Sequence, residues 1–425
     1  MKPTDAKYQT YIQILKQELC PAMGCTEPAA LAYAAAEACR TLGSLPDRVE
    51  IGASGSFIKN VKSVIVPNTG HLRGLPAAAS AGIIAGDPDR RPQVISDVTP
   101  AQVKAIRQFL ENTAFKVEHI DNGFTFEIQI TLYSGTDAAS VRIVNEHTNI
   151  VHIEKNGHVL KDIPVEAGQD TGADAYASLT LSDIWDFADT VELSDVREIL
   201  DRQISCNMAI AEEGLRGSYG ANIGSLLLKM NGNDVHTRAR AMAAAGSDAR
   251  MNGCEMPVVI NSGSGNQGMT ASIPVIVYAE ELHAEKEKLY RALVLSNLVT
   301  IHQKTPIGRL SAYCGAVSAG VGAGAGIAYI CGGDQEAVIC TVSNAVSILS
   351  GTICDGAKAS CAAKIAEAVD GGILGYQMYL QGKNFHGGDG LVADNIEQTL
   401  DNIGRLANRG MKQTNKEIIE MMITD

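Results

Sequence analysis

The sequence is short of basic residues. Its 35 lysines and arginines are outnumbered by 48 aspartates and glutamates, which gives a formal net charge of −13. No dense run of lysine and arginine interrupts this acidic background, whereas a nucleic-acid-binding protein normally carries a basic face. We therefore expect no nucleic-acid partner. The acidic balance itself indicates only solubility.

An apolar leader segment is also missing. The chain begins Met1-Lys2-Pro3-Thr4-Asp5, which is polar and has no apolar run behind it, unlike a signal or transit peptide. Residues 311–333 carry no charge and are long enough to raise the question of a membrane span. They are rich in alanine and glycine and poor in large aliphatic side chains, so their transfer into lipid would be poor. The sequence therefore predicts a cytoplasmic protein that does not enter the membrane.

The motifs of several cofactor classes are absent. There is no CxxC or Cys/His spacing of a zinc site, no P-loop and no dinucleotide-binding fingerprint. A pyridoxal-phosphate lyase needs a Schiff-base lysine beside a phosphate cup, and no lysine stands in such a context. The ten cysteines are not expected to form disulfides in a reducing cytosol, and most should be small buried hydrophobes. Any cysteine that carries chemistry must be recognised by its position.

Apolar periodicity divides the chain into helical and strand-forming parts. A length of 425 residues predicts two or three compact units. Helical spacing covers residues 5–18 and 26–40, and β-type stretches follow at 48–53 and 63–67. From about residue 178 the pattern is mainly helical. We expect one interruption at 256–279, with two strand-like runs.

Residues 98–160 have a different hydrophobic pattern. After a helix at 100–112, four runs alternate apolar and polar residues and are separated by turn residues, which predicts an antiparallel sheet. The predicted fold class is α+β. It has a mainly helical catalytic body with buried central helices (1–97 and 161–425) and a small antiparallel α/β module (98–160). His147, Thr148 and Asn149 end one strand of this module and are candidates for binding a small anion.

A helical hairpin is predicted around the turn Cys331-Gly332-Gly333-Asp334, which supplies glycines for one helix end and an N-cap aspartate for the next. The two arms have about the same length, so Cys314 returns beside Cys354. The same geometry places Cys331 and Cys340 at the opposite end, on the order of 25 Å away at 1.5 Å per residue. Spacing alone leaves open that Cys314 and Cys354 are ordinary core residues.

Another cysteine, Cys25, stands just before the helix that opens at Thr26. The positive end of a helix dipole and its free N–H groups favour a thiolate, which suits a metal ligand or a nucleophile. Cys20, at the end of the first helix, is better interpreted as packing. Cys361 lies one to two turns beyond Cys354 and is an alternative ligand, although it fits the buried face of the next helix more easily.

Glycine-rich loops form the second group of candidates. In Asn261–Gly268, successive glycines let backbone N–H groups point at an anion. The anion that we expect this loop to bind is a substrate carboxylate. An ordinary tight turn remains the alternative. Similar loops occur at Asn68–Gly74 and Ser54–Asn60. The candidate substrate-binding residues are Ser54, Ser56, Asn60, Asn68, Asn261, Ser262, Ser264 and Asn266.

Candidate acid–base residues are less specific. Lys59 follows a glycine loop and is a candidate carboxylate ligand or base, although a lone lysine is more often a solvated surface residue. His302 and Lys304 lie within a few turns of Cys314 and are candidates by proximity only.

The cysteine motifs resemble a known family. Gly24-Cys25-Thr26-Glu27-Pro28, Tyr313-Cys314-Gly315 and Ile353-Cys354-Asp355-Gly356 are similar to motifs of the L-cysteine desulfidases. That group belongs with the iron–sulfur L-serine dehydratases of the alpha-chain type, and the likeness covers nearly the whole chain. The resemblance implies that Cys25, Cys314 and Cys354 ligate a [4Fe–4S] cluster. Serine dehydratases place their third cysteine shortly after the second, roughly where Cys361 stands.

The resemblance also implies an activity. Three thiolates would leave one iron open as a Lewis acid, and elimination of sulfide from L-cysteine would give pyruvate and ammonia. The expected partner is a small-molecule amino-acid substrate, and a homodimer is left open. Two alternatives are an iron–sulfur L-serine dehydratase and a non-catalytic amino-acid-binding protein.

Overall fold

The computed structural model describes residues 1–24, 26–166, 173–308 and 310–424. Helices predominate, and the expected α+β class is confirmed. The helices are α1 (Ala6–Glu18), α2 (Thr26–Leu42), α3 (Gly55–Val61), α4 (Gly74–Ala85), α5 (Pro100–Asn112), α6 (Ala173–Ala177), α7 (Leu181–Thr190), α8 (Leu193–Arg216), α9 (Ile223–Asn231), α10 (Val235–Met251), α11 (Gly265–Glu281), α12 (Lys286–Ile307), α13 (Gly315–Ile330), α14 (Gln335–Leu349), α15 (Cys361–Leu380), α16 (Ile396–Arg405) and α17 (Lys412–Thr424). The strands are β1 (Pro21–Met23), β2 (Arg48–Ser54), β3 (Ala114–Ile120), β4 (Glu127–Ser134), β5 (Asp137–Val144), β6 (Ile150–Lys155), β7 (His158–Asp162) and β8 (Pro257–Val259).

The helical body is built around α13. Every residue of α13 after Gly315 is buried, and the helix packs against α11, α12, α14 and α15. The close approach of α13 to α15 depends on glycine, because a Cβ added at Gly320 would lie 2.2 Å from the Ala368 carbonyl oxygen of α15. Among the described residues, no helix is long and apolar enough to cross a membrane.

The hairpin predicted from the turn residues is present as α13 and α14. Asp334 caps α14 by accepting the Ala337 N–H at 2.9 Å, and Gly332 adopts a φ of 92°, which glycine allows without strain. Local turn chemistry therefore fixes how the two arms return on each other.

The larger sheet has the strand order β3-β2-β4-β5-β6-β7. Strands β4 to β7 form the expected antiparallel meander, but β2 pairs parallel with β3 and antiparallel with β4. The sheet is therefore mixed, because β2 enters it from outside the predicted module. A second apolar core joins this sheet to α2 and α4.

Two strand predictions are wrong. Residues 63–67 form only an isolated bridge, Ile65 to Arg73, because Asn68 turns the chain with a φ of 59°. In 256–279, only Pro257–Val259 is a strand, and it pairs with β1. The second predicted run belongs to α11, whose side chains are buried almost all round, so its sequence lacks a polar face to mark a helical period.

Candidate functional site

Cys314 and Cys354 meet at the open end of the α13–α14 hairpin. The Cys314 N–H donates to the Thr352 carbonyl at 3.0 Å, and the Cys354 N–H donates to the Ala312 carbonyl at 2.6 Å. These bonds hold the segment before α13 against the segment after α14. The convergence predicted from equal arm lengths is thus what the structure shows.

Burial controls the chemistry of Cys314. Burial, reinforced by the neighbouring Cys354 thiol group, raises the pKa of Cys314 to about 12, and the Ala316 N–H at the start of α13 opposes this rise. A neutral thiol is therefore expected near pH 7 unless a cation replaces the proton. Metal ligands must be deprotonated, so binding of a metal would release that proton. A buried thiol beside a half-buried one suits a thiolate-ligated iron centre.

Cys25 lies outside the described residues, but its neighbours border the same region. The Gly24 carbonyl accepts a hydrogen bond from Arg250 Nη2 at 2.8 Å, and α2 begins at Thr26. Glu27, one residue further, lines the cavity that contains Cys314. The two described candidates fit a cluster, and within the described part of the chain no set of three Cys, His, Asp or Glu side chains converges as ligands.

Cys361 is the first residue of α15 and lines the same cavity as Cys354. Its thiol donates to the Gly356 carbonyl at 3.6 Å, and burial raises the pKa of Cys361. The alternative ligand named from the sequence is therefore close to the pair. Cys331 is exposed and stands at the turn on the far side of the hairpin.

One cavity of about 1380 Å³ surrounds the cysteine pair, and we call it the cysteine cavity. Most of the residues predicted as catalytic or substrate-binding line it. They are Ser56, Lys59, Asn60, Ser262, Ser264, Asn266 and Lys304. Sequence reasoning missed other lining residues, namely Glu27, Arg250, Gln267, Lys364 and Asn415.

Two predicted residues serve the framework instead. Ser54 Oγ donates to the Thr125 carbonyl at 2.9 Å, which fastens the end of β2 to the loop before β4. Asn261 is fully buried, and its amide donates to Asn297 Oδ1 at 3.0 Å. Both side chains position the walls of the cavity without lining it.

His302 is not brought to the cysteine cavity. Its Nε2 pairs with Glu397 Oε2 at 2.7 Å, on the side of α12 that faces α16. The reason is helical geometry, because residues two apart on a helix point in different directions. Lys304 therefore faces the cavity while His302 faces away from it.

A second cavity of about 940 Å³ adjoins the first. Asn68 lines it, and its amide donates to the Ile95 carbonyl at 2.8 Å. His147 and Thr148, the candidate anion-binding residues, also line this second cavity, and His147 borders both. Asn149 donates instead to the Val144 carbonyl at 3.1 Å.

Lys59 is held tightly in the wall of the cysteine cavity. Its side chain is 2% exposed, and Nζ donates to the Ser311 carbonyl at 3.0 Å, the Cys354 carbonyl at 3.1 Å and Asn415 Oδ1 at 2.8 Å. Burial lowers the pKa of Lys59, and the neighbouring Cys354 opposes this. Lys59 therefore joins α3, α17 and the two cysteine segments.

Lys304 is buried without such a set of acceptors. It is 5% exposed, and burial lowers the pKa of Lys304 to about 8, with Cys354 and Cys314 opposing the change. Its ammonium donates no hydrogen bond to another described residue. Of the two lysines, Lys304 is the one whose proton is less firmly held.

The amino end of α11 closes another part of the cavity. Ser264 precedes the helix but its side chain makes no capping hydrogen bond, so the first N–H groups remain available. Asn266 Oδ1 accepts from Arg250 Nη1 at 3.1 Å. Arg250 and Gln267 were missed because their burial depends on tertiary packing; the one local signal was an arginine ending the Ala-rich helix α10.

The cavity brings a buried and a half-buried thiol together with buried lysines, and the family match supports an enzyme of the lyase and dehydratase type. The serine dehydratase alpha chain family matches residues 90–420, and the chain belongs to this family. It is an iron–sulfur family, so an iron–sulfur cofactor is supported. The family membership expected from the cysteine motifs is confirmed.

Several relatives match over the full length. A UPF0597 protein of Desulfitobacterium hafniense is 55% identical over 424 residues, covering 100% of this chain and 98% of the relative. A UPF0597 protein of Lachnoclostridium phytofermentans is 48% identical, covering 98% and 100%. One of Treponema denticola is 45% identical, covering 99% of both chains. These names assign no substrate.

Proposed function

We propose that this protein is an L-cysteine desulfidase that releases sulfide, pyruvate and ammonia from L-cysteine. The cofactor in this proposal is a [4Fe–4S] cluster held by Cys25, Cys314 and Cys354. The observation that carries it is the meeting of Cys314 and Cys354 in one cavity with buried lysines. The proposal includes a cytoplasmic location and leaves a homodimer open.

When bound, the cluster would supply a Lewis acid for the substrate. The protein's own part is to hold the amino acid and to move a proton. Lys304 is the proposed base for the α-proton, because its pKa is about 8 and a base works best when its pKa lies near the operating pH. Loss of the β-thiolate then leaves aminoacrylate, which hydrolyses to pyruvate and ammonia.

Lys59 has a positioning role in this proposal. It donates to the Cys354 carbonyl and to the Ser311 carbonyl, so it fixes the two cysteine segments relative to each other. Ser56 lies close by, since its Oγ accepts from Asn415 Nδ2 at 3.3 Å. The remaining candidate residues at the cavity, Asn60, Ser262 and Ser264, supply donors and acceptors for the substrate.

The second candidate function is an iron–sulfur L-serine dehydratase. It is favoured by the family match itself and by Cys361, which lines the cavity shortly after Cys354. Hydroxide and thiolate are both β-leaving groups, and the same base would serve either substrate. A non-catalytic amino-acid-binding protein would need the cavity but no cysteine pair.

The test compares substrates on anaerobically purified protein. We expect sulfide and pyruvate to appear in equal amounts from L-cysteine, with kcat/KM for L-cysteine above that for L-serine. Preferential formation of pyruvate from L-serine would establish the dehydratase instead. Binding of either amino acid without any product would favour the non-catalytic protein.

A further inference from the structure

The cysteine cavity contains buried positive charge that the protein does not neutralise. Arg250, Lys59 and Lys304 all line it, and each is at most 6% exposed. Within the described residues, none of the three forms an ion pair with a carboxylate. An uncompensated buried charge is strongly unfavourable, so an anion is the expected occupant.

The guanidinium of Arg250 leaves some of its hydrogen-bond donors without a partner. Nη1 donates to Asn266 Oδ1 at 3.1 Å and Nη2 donates to the Gly24 carbonyl at 2.8 Å. Nε is buried and has no partner. A guanidinium carries five N–H donors in a fixed fork that matches a carboxylate, and only some of these donors are used here.

The guanidinium lies against the amino end of α11. A Cβ added at Gly265, the first residue of α11, would lie 2.5 Å from Arg250 Nε. Glycine at this position therefore leaves room for the guanidinium beside the uncapped first turn of this 17-residue helix. A helix amino end attracts anions through those N–H groups and through its dipole.

Gln267, in the first turn of α11, lies between the amino end of this helix and the cysteines. It is 5% exposed, and its Oε1 is buried without a partner. A Cβ added at Gly315 would lie 2.7 Å from Gln267 Cδ, and Gly315 directly follows Cys314. The amino ends of α11 and α13 thus meet beside Cys314.

We infer that Arg250, with the amino end of α11, binds the α-carboxylate of the amino-acid substrate and thereby selects free amino acids over ligands that lack this carboxylate. The inference rests on the proposed function only for the identity of the ligand as an amino acid. Asn266 holds the guanidinium in place, and Gly265 leaves room for it.

The test uses a ligand pair that differs in the carboxylate alone. L-alanine and L-alaninamide share the ammonium and the side chain, and neither has a β-leaving group to be consumed. Their affinities for the anaerobically purified full-length protein are measured by calorimetry at neutral pH. We expect L-alanine to bind about tenfold to a hundredfold more tightly, as for loss of a hydrogen bond to a charged group.

Arg250→Gln should remove most of this preference, and Arg250→Lys should keep part of it. The matched control is Arg240→Gln on the same helix, because Arg240 pairs with Glu367 at 3.1 Å and Asp370 at 3.3 Å and does not line the cavity. The control should keep the full preference. Thermal melting of each variant reports whether it folds.

If the wild-type protein binds L-alanine and L-alaninamide with equal affinity, the inference is overturned, and no variant is needed to show it. A folded Arg250→Gln protein that retains the wild-type preference also overturns it. If the protein instead prefers L-alanine through Arg250 but holds no iron and releases no sulfide, the carboxylate site stands and the enzymatic proposal fails.

Discussion

The two ends of the α13–α14 hairpin carry cysteines in opposite circumstances. At the open end, Cys314 and Cys354 face the cysteine cavity together with buried lysines. At the turn, Cys331 is exposed and Cys340 is half-buried. Cysteines thus line the cysteine cavity at one end of the hairpin and lie away from it at the other.

The difference comes from tertiary surroundings and not from local sequence. An aspartate lies near a cysteine in the sequence at both ends, Asp355 after Cys354 and Asp334 after Cys331. Only the open end receives Lys59 from α3 and Lys304 from α12. Buried cations beside a pair of thiols favour the thiolate form that a metal needs. The chemistry therefore follows from which elements meet there.

The largest expected effect comes from the open end. Cys314→Ala and Cys354→Ala should each lose bound iron and L-cysteine-dependent sulfide release, because the cluster loses a ligand. Cys25→Ala should behave in the same way. Iron content and sulfide production are measured under strict anaerobiosis. If Cys314→Ala retained its iron and Cys331→Ala lost it, the assignment of the metal site to the open end of the hairpin would be wrong.

The next effect concerns the base. Lys304→Met should lower kcat by roughly a hundredfold to ten-thousandfold, the usual contribution of a general base, while the iron content stays unchanged. The neutral amine is the active form, so wild-type kcat should rise as the pH increases through about 8 and level off above it. The pH dependence of kcat is measured in the variant as well as in the wild type.

The matched control for the base is Lys286→Met, at the exposed start of the same helix, where Lys286 pairs with Asp201 at 3.0 Å. It should keep the wild-type kcat and pH profile. Wild-type kcat in Lys304→Met would remove this lysine from the chemistry.

A smaller effect is expected at the amino end of α11. Asn266→Ala removes the acceptor for Arg250 Nη1 and should raise KM for L-cysteine roughly fivefold, as for loss of about 1 kcal/mol, with little change in melting temperature. Asn112→Ala, at the end of α5, serves as a control that touches neither cavity. An unchanged KM in Asn266→Ala would count against a substrate role for this loop.

The smallest effect belongs to the turn end of the hairpin. Cys340→Ala and Cys331→Ala should keep iron and activity, and each should lower the free energy of unfolding by about 1 kcal/mol or less, because only packing is lost. Denaturant titration measures this change. A loss of activity comparable to that of Cys354→Ala would show that the two ends are not distinct.

The parts of this protein that follow from local rules could be predicted from the sequence. The α13–α14 hairpin follows from turn residues and equal arms, and Pro100–Asn112 begins with a Thr99–Gln102 capping box. Pairing of β2 with β3 could not be foreseen, since it joins segments far apart in the chain. Arg250 was missed because burial of a charge is decided by tertiary contacts.

Some misses have simple geometric causes. Proximity in the sequence suggests both Lys304 and His302 as acid–base residues. Residues two positions apart on a helix face different directions, however, so only one of them can face the cavity. The helical nature of α11 was hidden because it is buried nearly all round. The family likeness implies Cys25, Cys314 and Cys354 as ligands, whereas spacing alone predicts only the convergence of the last two.

The central claim is that the open end of the hairpin holds an iron–sulfur cluster. The most direct measurement is the iron and acid-labile sulfide content of the wild-type protein after anaerobic purification, together with its absorbance spectrum. The account predicts about four iron and four sulfide per chain for a [4Fe–4S] cluster, with a broad brown shoulder that fades on exposure to air. Iron-free protein that still releases sulfide from L-cysteine would contradict it.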